Sequence, residues 1–337
     1  MSVSRRRLVD RHLIVRRESF PIRGAFRISR GAKTAAEVVV AEVQDGDRRG
    51  RGECVPYARY GESVDGVAAA LEAMADAVAA GLGRDELQRT MPAGAARNAL
   101  DCALWDLEAK RAGVPAWRLA GLTQAPGPLT TCYTLSVDEP AAMAAAARDV
   151  AARHPLLKMK LTGEGDLERV RAVRAAAPAA RLVVDANEGW TLDHLDRFAP
   201  EFAALGVELI EQPLPAGQDE ALRGLICPVP LGADESFHGL DSLERLKGLY
   251  QVVNVKLDKT GGLTEALAVK AAAEAAGFGL MVGCMVATSL AMAPAVLLAQ
   301  GVSFVDLDGP LLLAEDRVPG LRYDGALVHP PEPDLWG

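Results

Sequence analysis

The chain has 337 residues, 50% of them hydrophobic and 24% charged, with a formal net charge of −8. This length allows a large core and more than one domain, and the acidic balance excludes nucleic acid as the main partner. Five scattered cysteines (Cys54, Cys102, Cys132, Cys227 and Cys284) form no C-x-x-C pair. They argue against a disulfide framework or a structural zinc site and for a reduced, cytoplasmic setting.

Arg5, Arg6 and Arg7 open the chain, but Asp10, Arg11, Arg16, Arg17 and Glu18 interrupt any apolar run, so the start is a poor signal peptide. Residues 8–20 and 36–44 read as strands, rich in Leu, Ile and Val. Between them, Phe20 to Ala36 carries Pro21, Gly24, Gly31 and the basic residues Arg23, Arg27, Arg30 and Lys33, and reads as a loop. Asp45-Gly46-Asp47 signals a turn. Helices are expected at about 64–80 and 94–112. The second places Leu100, Ala103, Leu104 and Leu107 on one face, with Arg97, Asp101, Glu108 and Lys110 largely around the other, and Trp105 in the core. Residues 1–121 therefore read as an α+β unit.

After Gly121 strand-like runs alternate with Ala-rich amphipathic helices. The strands fall at 129–135, 156–161, 181–185, 207–211, 229–234, 252–256, 279–283 and 302–306. Regular βα alternation implies parallel strands, and eight units imply a closed (β/α)8-type barrel over 122–310. An open doubly wound sheet is the second choice, but no Gly-rich phosphate loop follows the first strand. Residues 275–305 hold no charge and are long enough to cross a bilayer. Gly277, Gly279, Gly283 and Pro294 break that run into strand, turn and helix, so no membrane partner is expected. Residues 311–337, with Pro319, Pro330, Pro331 and Pro333, read as a tail that packs back on the N-terminal unit. The fold class is α/β: a barrel with an N-terminal α+β cap completed by this tail.

Leu156-Leu157-Lys158-Met159-Lys160-Leu161 organises the functional reading. Residues two apart in a strand share a face, so Lys158 and Lys160 point the same way from an apolar strand. That costs stability unless anions lie opposite. Anions are found at the ends of the next strands: Asp185, Glu211 and Asp234. Lys256 ends the sixth strand, and Asp306 and Asp308 end the eighth. From Lys160 to Asp185, Glu211, Asp234 and Lys256 the steps are 25, 26, 23 and 22 residues, one βα unit each. Three carboxylates at one mouth select a hard divalent ion, Mg2+, one per subunit. A substrate carboxylate on that ion would place its α-carbon between Lys160 and Lys256. One lysine removes the α-proton and the other returns it from the opposite face, while the metal and Lys158 stabilise the enediolate between these steps.

Lys158-x-Lys160, Asp185-Ala186-Asn187, Glu211-Gln212-Pro213, Asp234-Glu235-Ser236 and Lys256-Leu257-Asp258-Lys259-Thr260-Gly261-Gly262 together resemble the enolase superfamily, muconate-lactonizing subgroup, over essentially the whole chain. Within it the chain looks most like the dipeptide epimerases of L-Ala-D/L-Glu type, through residues 92–101 and Asp306-Leu307-Asp308-Gly309-Pro310. The resemblance implies that Asp306 and Asp308 hold the α-ammonium group of a dipeptide and that murein peptides are the context. It also implies that the loop at about 20–34 caps the barrel and sets specificity. Arg30 is the candidate there for binding an acidic side chain, by bidentate pairing. One departure stands out. Many relatives carry Glu after the Gly-Cys-Met of the seventh strand, where this chain has Val286-Ala287-Thr288. Readings that keep the machinery but change the substrate are an N-acyl amino acid racemase and a muconate lactonizing or o-succinylbenzoate synthase-like lyase. A non-catalytic barrel is the reading from another class. The sequence leaves a homo-oligomer open.

Overall fold

The computed structural model describes residues 11–337; the first three residues of the strand expected at 8–20 lie outside it. The N-terminal unit is a three-stranded antiparallel sheet, β1 (Arg11–Ile28), β2 (Gly31–Asp45) and β3 (Arg48–Cys54), backed by helices Val64–Glu72, Ala75–Ala79, Arg84–Thr90 and Ala95–Ala112. The turn at 46–47 lies where expected. The stretch expected as a loop at 20–36 is instead the bent end of the β1–β2 hairpin. Pairing runs to Pro21↔Ala35, breaks, and resumes at Phe26↔Lys33. Pro21 offers no N–H and Gly24 has φ 72°, so the turn signals mark a bulge and not a loop. The helix expected over 64–80 is two helices that break at Ala73 and Met74.

Helix Ala95–Ala112 lies hard against β3. A Cβ at Gly50 would stand 2.1 Å from Ala103 O, and one at Gly52 would stand 2.2 Å from Ala99 O, so only glycine permits this approach. The helix is buried on both sides. Arg97 donates to Thr260 O at 2.7 Å and Gly261 O at 3.1 Å, and Asp101 accepts from Thr264 Oγ1 at 2.6 Å. The face read as polar is thus the cap's seam with the barrel. Trp105 is buried, as read.

The strand expected at 129–135 divides. Its first part, β4 (Leu129–Thr130), leaves the barrel. The barrel strands are β5 (Tyr133–Leu135), β6 (Leu156–Lys160), β7 (Arg181–Asp185), β8 (Val207–Glu211), β9 (Leu231–Ala233), β10 (Val252–Val255), β11 (Gly279–Gly283) and β12 (Phe304–Asp306), parallel and in sequential order. Across the seam, Cys132 N donates to Val305 O at 2.8 Å and Leu307 N to Thr131 Oγ1 at 2.8 Å. In the tail, β13 (Tyr323–Asp324) and β14 (Leu327–Val328) form a hairpin whose second strand pairs with β4. The chain end reaches the cap, where Trp336 Nε1 donates to Cys102 O and Arg51 to Leu335 O. The uncharged run 275–305 forms β11, helix Ser289–Leu298 and the start of β12. Among the described residues, no helix is long and apolar enough to cross a membrane.

Period-two alternation builds the barrel interior. Leu156, Val183, Leu209, Val252 and Met281 pack together at its floor. Two or four residues further along the same strands, on the same face, come Lys158, Lys160, Asp185, Glu211, Asn254 and Lys256. Leu157, Met159, Val184 and Ile210 point outward into the main core. Charge therefore collects at the C-terminal mouth of the barrel.

Candidate active site

Asp185, Glu211 and Asp234 are fully buried, and each offers a carboxylate oxygen within 4.8 Å of the others. Burial and the adjacent Asp185 charge push Glu211 up to about 7. Burial would also raise Asp185, but Lys160 and Lys158 pull it down to about 2. For Asp234, Lys256 and Lys259 likewise overcome the effect of burial and hold it well below the carboxylate range. Glu211 Oε2 has Lys158 Nζ at 2.7 Å, yet in an orientation that makes no hydrogen bond. A tight, oxygen-only and mutually repelling donor set of this kind fits a hard divalent cation.

The lysines fold onto these carboxylates. Lys158 Nζ lies 2.7 Å from Asp306 Oδ2 and 3.2 Å from Asp185 Oδ2. Lys160 donates to Asp185 at 2.6 Å and Lys256 to Asp234 at 2.7 Å. Burial opposes the charge on Lys158 and Lys256, but the carboxylates around them outweigh it and raise both well above the usual lysine range. Burial and a neighbouring cation would by themselves lower a lysine, but carboxylates at contact distance carry more weight here. β6 is an interior strand and buried throughout, so neither lysine is a solvated edge charge.

Lys259, quoted only within a motif, and Asn254, not singled out from the sequence, complete this shell. Lys259 donates to Asp234 Oδ1 and O, both at 2.6 Å, and to Asn254 O at 2.9 Å. Asn254 donates to Glu211 Oε1 at 2.7 Å, and Gly283 leaves it room, since a Cβ there would lie 2.6 Å from Asn254 Oδ1. Asn254 stands two residues before Lys256 on one strand face, a spacing that could have revealed it.

Above the triad a cavity of about 830 Å3 opens between barrel and cap. Lys160, Asp234, Lys256, Asp306 and Asp308 line its barrel side, and the cap supplies Phe26, Arg30, Lys33, Tyr57 and Tyr60. The Phe26 ring lies 5.8 Å from Lys160 Nζ. Asp306 Oδ1 is buried and has no hydrogen-bond partner. Asp308 accepts from Thr134 N at 2.6 Å, and burial together with Asp306 pushes it up to about 7. Met285 and Val286 reach the cavity, whereas Ala287 is buried behind them. The cap's Glu53 is the carboxylate nearby, accepting from Thr288 N at 2.9 Å and Oγ1 at 2.5 Å.

Arg30 differs from its expected role. Nη1 donates to Asn187 O at 2.8 Å and Glu188 Oε2 at 3.0 Å, and Nη2 donates to Glu235 Oε1 at 2.7 Å and Tyr57 Oη at 3.0 Å. Both terminal nitrogens are spent on protein groups, so no fork remains for a bidentate grip on a substrate carboxylate. The basic character of this stretch was legible in the sequence; which of its cations stays free was not.

A barrel with a buried carboxylate triad and lysines at its strand ends, roofed by an α+β cap, defines an enzyme of proton-transfer type. The chain belongs to the enolase superfamily, in its mandelate racemase and muconate lactonizing branch. Residues 142–332 match the family "Enolase C-terminal domain-like", and residues 10–121 match "Mandelate racemase / muconate lactonizing enzyme, N-terminal domain". It is 47% identical over 313 residues to an L-Ala-D/L-Glu epimerase of Escherichia coli K12, covering 93% of this chain and 97% of that protein. It is 44% identical over 302 residues to an N-acetyl-D-glutamate racemase of Pseudoalteromonas, covering 89% and 95%. A crystal structure of an Agrobacterium tumefaciens enolase family member, described with homology to dipeptide epimerases and with bound sodium and L-Ala-L-Glu, superposes with TM-score 0.95 at 56% identity, covering 97% of this chain and all of that one. A dipeptide epimerase of Enterococcus faecalis V583, complexed with Mg and L-Leu-L-Tyr, gives TM-score 0.88 at 28% identity, covering 95% and 97%.

Proposed function

We propose that this chain is an Mg2+-dependent dipeptide epimerase of L-Ala-D/L-Glu type, moving a proton at the α-carbon of the C-terminal residue. The observation that carries this reading is the placement of Lys160 and Lys256. They end β6 and β10, opposite each other in an eight-stranded ring, and line one cavity with the acid triad between them.

Asp185, Glu211 and Asp234 would hold the cation, which supplies positive charge to a substrate carboxylate and so acidifies its α-carbon. Lys160 and Lys256 then divide the two faces of that carbon. With a cation sharing the triad, Asp185 and Asp234 would hold the lysine protons less tightly, leaving one nitrogen free to take the proton as the C–H bond breaks; the electron pair spreads into the carboxylate, and the other lysine delivers a proton from the far face, inverting the centre. Lys158 places a fixed positive charge beside the site of developing negative charge. The Phe26 ring and the hairpin that carries it stand over the Lys160 side of the cavity.

Asp306 and Asp308 favour a dipeptide over an N-acyl amino acid. Two buried carboxylates repel each other, and Asp306 Oδ1 lacks a donor. An α-ammonium group supplies three donors and a positive charge, whereas an acyl amide offers one neutral N–H. With Arg30 committed, Lys33 is the cavity cation that forms no ion pair among the described residues. We assign it to the acidic side chain of the substrate. The N-acyl reading keeps its weight because relatives of both kinds match over most of the chain.

The test is α-proton exchange in D2O with Mg2+, followed by mass. Exchange concentrated on L-Ala-L-Glu supports the epimerase. Exchange on N-acetyl-glutamate alone retires the ammonium role of the Asp pair. Exchange on neither substrate sinks both readings.

A further inference from the structure

We propose that Arg30 is a positioning residue that couples docking of the cap hairpin to the cation site, so that a docked hairpin tightens cation binding although Arg30 touches none of the three ligands. This rests on the reading of Asp185, Glu211 and Asp234 as ligands.

Two short paths lead from the guanidinium to the triad. Arg30 Nη1 donates to Asn187 O, and Asn187 N donates to Asp185 Oδ1 at 2.9 Å. Arg30 Nη2 donates to Glu235 Oε1, and Glu235 is the residue after Asp234. Asn187 Nδ2 joins the two paths by donating to Glu235 Oε1 at 3.3 Å. Arg30 thus ties the segment after one ligand to the segment after another, across two strands.

The backbone it supports needs support. Asn187 has φ 44° and Glu188 has φ 67°, left-handed conformations that residues with a Cβ hold only when surroundings fix them. Those surroundings come from the cap. Ser29 Oγ donates to Asn187 O at 2.7 Å, and Arg59, from the segment that follows β3, grips both Glu188 oxygens at 2.8 and 2.7 Å. Side-chain exposure of 27% for Arg30, 9% for Glu188 and 1% for Glu235 sets this network apart from a solvated surface pair of little worth. Arg27 N donates to Ser136 Oγ at 3.2 Å and Val137 N donates to Arg27 O at 3.2 Å, which hold the same hairpin to the loop after β5, so losing Arg30 loosens the tip without detaching the hairpin.

Linkage makes the coupling reciprocal. If the docked tip favours the ligand geometry, a bound cation favours the docked tip by the same factor.

The experiment measures Mg2+ affinity calorimetrically on the full chain without substrate, together with amide hydrogen exchange across residues 24–34 with and without Mg2+. The variants are Arg30→Ala, Arg30→Lys and Glu188→Gln, the last removing the barrel-side partner in case Arg30→Ala fails to fold. We expect Arg30→Ala and Glu188→Gln to weaken Mg2+ binding by about tenfold. Arg30→Lys, a point charge without a fork, should recover part of the loss. Mg2+ should slow hairpin exchange in the unmutated chain and not in Arg30→Ala. Unmutated affinity in both Arg30→Ala and Glu188→Gln, or hairpin exchange indifferent to Mg2+, overturns the coupling alone. An unmutated chain that binds no Mg2+ overturns the triad reading itself, and the coupling with it.

Discussion

Lys160 Nζ donates to Asp185 Oδ2 at 2.6 Å from the strand next to it. Across the mouth Lys256 stands in the same relation to Asp234. Each lysine is held by a different member of the triad, so each can be removed without taking away the other's anchor. Lys160→Ala and Lys256→Ala should each lower epimerisation by about a thousandfold or more. Each should still wash deuterium into one epimer of L-Ala-Glu and not the other, because one face keeps its base. Running the exchange separately from the two epimers checks this. Retention of epimerisation near the unmutated rate in either variant would sink the two-base mechanism.

Asp306→Asn separates the substrate classes. Asp306 also accepts from Lys158, so some loss of turnover is expected for any substrate. The informative quantity is the ratio between substrates. The KM for L-Ala-L-Glu should rise about ten- to a hundredfold more than that for N-acetyl-glutamate, in line with losing a charge-assisted bond worth about 1.5–3 kcal/mol. Equal changes in both would show that Asp306 acts only through Lys158.

The clustering of the strand-end carboxylates and lysines was legible because each is tied to a local pattern. Charged residues end most of the apolar strands, and a strand's period of two fixes their face. What depended on distant partners was not legible. Arg97 and Asp101 read only as part of a polar helix face because nothing in their helix announces the segment at 260–264 that covers them. Leu129 and Thr130 pair with Leu327 and Val328, nearly two hundred residues away. Pro21, Gly24 and Gly31 give the same local signal in a loop and in a bulged hairpin, and only the apolar packing of Phe20, Ile22 and Phe26 against Leu313 and Val286 favours the hairpin. The choice between Arg30 and Lys33 as the free cation follows from that hairpin and from where Glu188 and Glu235 lie.

Lys33→Met tests the side-chain assignment. Lys33 faces the cavity from β2 and is exposed, so its attraction for a carboxylate is moderated by water. The KM for L-Ala-L-Glu should rise by about three- to tenfold, roughly 0.6–1.4 kcal/mol, with little change for a dipeptide ending in Met. Steady-state kinetics on the two substrates decides. A uniform change in both would mean that Lys33 shapes the hairpin and does not read charge.

Asp258 carries a prediction about pH. It is buried between cap and barrel, where its Oδ1 accepts from Asn98 Nδ2 at 2.8 Å and Val55 N at 3.2 Å. Burial, reinforced by the Glu62 and Glu53 charges, pushes it from 3.8 up to about 7. Between those values the folded chain holds a proton that the unfolded chain has released. The stability this group contributes is therefore full near pH 4, declines as pH rises, and is gone above about 7. Asparagine keeps the accepting oxygen and cannot ionise. Asp258→Asn should match the unmutated chain at pH 5 more closely than at pH 8, where it should be the more stable by roughly 1–3 kcal/mol. Urea denaturation midpoints at the two pH values measure this. A gap between the proteins that is the same at both, or that favours aspartate at pH 8, would show that Asp258 ionises inside the fold at little cost.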